Sequence, residues 1–204
     1  MILVITLLDP RNDYLGRVIS TRVFLSLYFK YKKGKNMNIS MYQASVPRLV
    51  NILHNLDKIL DKAQEHVETK KLDISSIIDV RLFPDMFNMV RQVQIACETA
   101  RGVVARLAGV EIPTSDDNER NIKELKQRIG KTIAFIEGFS PEQIDGTEDK
   151  PIVTKRHDKE THYKGMQFLL GHAIPNVYFH VTTTYNILRH NGVEIGKRDY
   201  LGTP

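Results

Sequence analysis

The amino-acid sequence predicts an all-α protein, a four-helix bundle with a short loop or hairpin before its last helix. Three observations carry that expectation. Apolar residues recur at steps of three and four in four separate stretches, which is the period of a helix that buries one face. Proline, glycine and capping clusters stand at the ends of those stretches. The chain has 204 residues, with 42% apolar and 26% charged side chains, so it has the composition of an ordinary globular domain and can bury a core without cross-links.

Residues 1–36 differ from the rest. Seven basic side chains (Arg11, Arg17, Arg22, Lys30, Lys32, Lys33, Lys35) stand there against two acidic ones, Asp9 and Asp13. The whole chain's net charge of +5 is therefore the charge of this segment, and residues 37–204 are balanced. A balanced domain offers no basic face to a nucleic-acid backbone, so no nucleic-acid partner is expected. The apolar runs MILVITLL and VFLSLYF fall short of the roughly 20 residues that span a bilayer. Positive charges follow these runs instead of preceding them, which argues against a signal peptide. The segment reads either as an unstructured leader or mis-assigned start, with Met37 opening a single domain over 37–204, or as an amphipathic surface-binding arm. The lone Cys97 cannot form an internal disulfide and fits a reducing, cytoplasmic compartment.

In the first helix Pro47 falls in the opening turn, where its missing N–H costs nothing. Leu49, Ile52, Leu53, Leu56, Ile59, Leu60, Ala63 and Val67 then form one stripe, with His54 on the opposite, solvated side. A second helix is expected from Pro84 to about Gly109, its stripe running from Met86 through Val93 and Cys97 to Leu107. Cys97 sits inside that stripe and reads as a small buried hydrophobe. A third helix follows the capping cluster Ser115-Asp116-Asp117 and carries Ile122, Leu125, Ile129, Ile133 and Ile136. The stretch PIVTKRHDKETHYKG is polar with some alternation and reads as a loop or small hairpin with two surface histidines, His157 and His162.

The fourth helix, about Met166 to Asn191, closes with Arg189, His190 and Gly192, a cationic last turn followed by a C-terminal glycine. It is apolar on nearly all sides and is therefore expected to be buried on nearly all sides. His172, Asn176, His180 and Thr183 are set into one of its faces at helical spacing, and polar groups in such a place must find partners. Pro175 removes a backbone donor and frees the Gly171 carbonyl, a common cause of a kink. These residues support three readings. They form a satisfied buried network; or they line a small-molecule pocket between helices with Asp85, Gln92 and Gln94 as partners; or they hold a catalytic His180, as metal ligand or general base. The sequence has no Walker loop, GxGxxG, paired CxxC, HExxH or GxSxG, so nucleotide-dependent and standard hydrolase chemistry have no support.

The segments SMYQASVPRLVNIL (40–53), RLFPDMFNMVRQVQIACETARG (81–102), RLAGVE (106–111) and HAIPNVYFHVTTTYNILRHNGVEIGKRDYLG (172–202) carry a resemblance. The chain resembles the family of domain of unknown function nineteen-ninety-three, grouped with the DinB-like proteins. That resemblance implies a four-helix bundle, often a homodimer, and in many members a divalent metal held by three histidines. Two of those ligands lie four residues apart on the last helix and the third lies on the second helix. Metal-dependent transferases or hydrolases of this type would use His180. Position by position, His180 matches one ligand, while Asn176 and Gln94 stand at the other two. Amide oxygens suit hard cations better than zinc or nickel, so a degenerate metal site is expected. The tail 196–202 also matches the family and is expected to pack back on the bundle or on a partner subunit.

Overall fold

The structure, a computed structural model, describes residues 39–156 and 158–203. The expectations for residues 1–36 and for His157 lie outside the described residues. The described residues from Ile39 onward form one compact unit.

Helix α1 spans Met41–Lys70. Ser40 caps it, its hydroxyl accepting from Gln43 N while the Gln43 side chain accepts from Ser40 N, which satisfies two of the donors a helix start leaves open. The predicted stripe from Leu49 to Val67 is buried as one face. A single turn, α2 (Ser75–Ile78), leads to α3 (Met89–Ala108). Asn88 caps α3 by accepting from Arg91 N at 3.1 Å, so the helix begins five residues after Pro84. Gly109 ends it in the left-handed region at φ 79°, where a side chain would be strained.

Helix α4 (Ile122–Glu137) is capped by Asn121, which accepts from Glu124 N at 2.9 Å. The Ser115-Asp116-Asp117 cluster is thus a loop and not a cap. After the turn α5 (Pro141–Ile144) come strands β1 (Pro151–Arg156) and β2 (Lys159–Lys164), an antiparallel hairpin pairing Pro151 with Lys164 and Val153 with His162. Gly165 opens α6 (Gly165–Phe168), and a Cβ there would collide with the Thr147 carbonyl oxygen. A π-helical turn over Leu169–Ala173 follows, then α7 (Ile174–His190) and α8 (Lys197–Leu201).

Four long helices enclose one core. α7 packs most closely on α3, α1 on α4, and α1 and α3 face each other only weakly across a diagonal. Pairing of Gln92 with His180 and of Thr99 with Asn176 makes α3 and α7 antiparallel. Between α3 and α4 the loop 110–121 runs back along α3, because Ser115 meets Arg101 and Glu119 meets Gln94. That return starts α3 and α4 from the same end of the bundle. α8 folds onto α1: Asp199 pairs with Lys62 at 2.7 Å, and Asn55 Nδ2 donates to the Tyr200 carbonyl at 3.1 Å. No helix among the described residues is long and apolar enough to cross a membrane.

The last helix is not buried all round. Leu170 is 51% exposed and Phe179 is 55% exposed. Leu170 in the π-helical turn and Phe179 on α7 are thus left about half open, which the all-round apolar pattern could not reveal.

Candidate functional site

The polar residues of α7 separate into distinct environments. His180 is buried, and its Nδ1 lies 2.6 Å from Gln92 Oε1 on α3. The Gln92 Nε2 amide donates to the Phe87 carbonyl at 3.1 Å, which fixes the amide with its oxygen toward the imidazole. An oxygen can only accept, so His180 Nδ1 carries the ring proton and Nε2 keeps its lone pair. Among the described residues Nε2 has no hydrogen-bond partner, and it is not one of the fully enclosed unpartnered atoms. Burial, reinforced by the positive charge of Arg91, pushes the His180 pKa down from 6.5 to about 4. The ring is therefore neutral at physiological pH. Phe179 meets it edge-on with centroids 5.3 Å apart.

One turn earlier, Asn176 Nδ2 donates to Thr99 Oγ1 at 3.1 Å, a second polar bridge between α7 and α3. His172 is elsewhere. It is solvent-exposed, with its ring stacked on Phe168 at 5.9 Å and against Tyr163 of β2 at 5.5 Å. The π-helical turn between Leu169 and Ala173 adds a residue to the helical period there, so His172 leaves the line that Asn176 and His180 share. Thr183 turns its hydroxyl back to the Phe179 carbonyl at 2.8 Å. Asp85 is exposed in the turn before α3 and has no hydrogen bond among the described residues.

Gln94 is also away from His180. Two residues along a helix rotate a side chain by about 200°, and Gln94 faces the loop 110–121, where its Nε2 donates to Glu119 at 2.8 Å. A charged cluster absent from the sequence reading is centred there. Arg128, with a side chain only 4% exposed, pairs with Glu98 at 3.2 Å, Asp117 at 2.9 Å and Glu119 at 2.8 Å. Arg91 adds Asp117 at 2.5 Å. Burial raises the Asp117 and Glu119 carboxyls, but Arg91 and Arg128 outweigh it at Asp117, and Arg128 and Gln94 at Glu119, so both are held below their ordinary values. Cys97 lies fully buried beside this cluster, and desolvation pushes its thiol up to about 11, leaving it inert. The acidic loop residues looked like a helix cap in sequence; only their distance from Arg91, Arg101 and Arg128 along the chain hid their real partners.

Residues 41–201 match the family described as Domain of unknown function (DUF1993). The chain belongs to that family. A crystal structure of a DinB family member protein from Shewanella denitrificans is 42% identical to it, with a TM-score of 0.75 over 87% of this chain and 96% of that chain. No curated protein matches. The DUF1993 chain is thus a DinB-like helical bundle.

The three-ligand metal arrangement of DinB-like relatives does not fit the donors present in this DUF1993 chain. His180 supplies one free imidazole nitrogen, Asn176 supplies an amide already bonded to Thr99, and Gln94 points to the far side of α3. Gln92 stands beside His180 instead, but its oxygen is occupied by Nδ1–H. Among the described residues no three histidine, cysteine, aspartate or glutamate side chains converge where they could hold a metal ion. A single imidazole with neutral amides is a weak set for zinc or nickel.

Proposed function

We propose that this DUF1993 protein binds a small, largely apolar molecule at His180, recognising one hydrogen-bond donor of the ligand through Nε2. The observation that carries the reading is the fixed orientation of Gln92: with the Phe87 carbonyl holding the amide, Nε2 is a neutral acceptor on a ring that Phe179 meets edge-on. Such a group prefers an uncharged donor, a hydroxyl or N–H on an apolar body, to an anion. Asn176 and Thr99 brace the same helix pair one turn away. The alternative of a metal-dependent transferase or hydrolase acting through His180 has less support. A base with a pKa near 4 removes protons poorly at neutral pH, and the donor set lacks a second imidazole. A cytoplasmic homodimer is the setting we retain, an expectation resting on the family resemblance; sedimentation velocity of the purified chain tests the dimer.

Phenol and benzyl alcohol are suitable probes, with toluene as the control that lacks a donor. Thermal shift and NMR titration should show saturable binding of both alcohols, weaker binding of toluene, and loss of the difference in His180→Ala. Equal binding of all three, or an unchanged preference in a folded His180→Ala, would exclude the role given to Nε2.

A further inference from the structure

Between α3, α4 and the returning loop lies a cleft of about 580 Å³, lined among others by Arg101, Ser115, Asn118, Gln127, Lys131 and Phe135. It is remote in role and residues from the His180 pair. Arg101 is its unusual member. It is only 7% exposed, yet no carboxylate pairs with it among the described residues, and its one hydrogen bond is from Nη1 to the Ser115 hydroxyl. Its Nε–H is fully enclosed and unpartnered, and Nη2 is neither enclosed nor bonded. A buried guanidinium in this condition is costly unless an anion meets it.

Two of the three carboxylates that line the same cleft, Glu119 and Glu124, are committed elsewhere. Glu119 is held by Arg128 and Gln94. Glu124 accepts from the Arg120 backbone and the Asn121 side chain at the start of α4. Asp116 contributes its carbonyl to Arg128, and its side chain makes no ion pair among the described residues. Lys131, on the exposed side of α4, adds a second cation without a described acidic partner. Phe135 supplies an aromatic wall.

We propose that this cleft is an anion-binding site, in which the oxyanion of a small molecule, a carboxylate or a phosphate, meets Arg101 Nη2 with Lys131 assisting. The Ser115 hydroxyl holds the guanidinium in place, and the cleft is large enough for a small organic acid whose apolar part lies on Phe135. An oxyanion at Nη2 neutralises the one buried cation left unpaired among the described residues. The site takes charged ligands, whereas the His180 site takes neutral ones, so the two are tested separately.

The test is a thermal-shift and calorimetric titration of the full chain with inorganic phosphate and with benzoate, against sodium chloride of equal ionic strength. At ten times its Kd a specific anion should raise Tm by roughly 3–6 °C. Binding of benzoate alone points to an organic acid, and binding of phosphate alone to a phosphorylated molecule. Arg101→Met should fold, melt no lower than the parent, and lose the anion response. Lys131→Gln should weaken binding several-fold, and this surface variant keeps the test valid if Arg101→Met does not fold. No saturable response beyond chloride for either anion, or a response that survives in both variants, overturns the proposal.

Discussion

His180 is held neutral by burial, and this gives it a pH signature. Its folded pKa of about 4 lies below the ordinary 6.5. Between those values the unfolded chain binds more protons than the native one, so stability rises with pH and is lost as pH falls from about 6.5 toward 4. The whole span corresponds to on the order of 3 kcal/mol. Urea midpoints should therefore fall more between pH 7 and pH 4.5 for the parent than for His180→Gln; equal falls would mean that the ring is charged in the native state. Gln92→Leu strands Nδ1–H without its acceptor and should cost about 1–3 kcal/mol in urea unfolding. The burial of His180 was visible in sequence from its place on an apolar helix. Its partner was named alongside Gln94, and the two differ only in which side of α3 they occupy, which spacing to an unknown neighbour does not reveal.

The helices themselves were readable because each stripe is long compared with one turn. Their ends were less so. Pro84 looked like a first-turn proline, but Asn88 is the residue whose side chain satisfies an open N–H, so α3 starts later. Ser115-Asp116-Asp117 has cap-forming chemistry and spends it instead on arginines of the bundle. Pro175 marked a disturbance correctly, and the structure shows its form as a widened turn over Leu169–Ala173. That turn decides the α3–α7 interface, because it removes His172 and leaves two polar bridges. A double-mutant cycle of Thr99→Ala with Asn176→Ala should return a coupling of about 0.5–1.5 kcal/mol. Strict additivity would show that the bridge contributes nothing to holding α7 on α3.

Across the whole molecule the loop 110–121 lets α3 and α4 run in the same direction, and Arg128 fastens it to the bundle through Asp117 and Glu119. Cutting that link leaves the half-buried Glu119 and the exposed Asp117 without the buried guanidinium that bonds them, so Arg128→Met should destabilise the protein by about 1–3 kcal/mol. Hydrogen exchange should quicken in residues 110–121 more than in α1. Because Asp117 and Glu119 are held below their ordinary pKa values, their contribution is complete above those values and is lost as pH falls through the lowered ones. No local pattern announces such a cluster, since its members come from three segments. The resemblance to DinB-like proteins conveyed the architecture, while of the three positions at which it implies metal ligands, Gln94, Asn176 and His180, only the last is a histidine.

Long-range proton–nitrogen NMR of the His180 ring, in protein labelled with ¹⁵N-histidine, addresses the proposed recognition most directly. At pH 7 the ring should be neutral with its proton on Nδ1, and adding phenol should perturb the Nε2 resonance while Nδ1 changes little. A ring protonated on Nε2, or one that titrates near 6.5, would contradict the account.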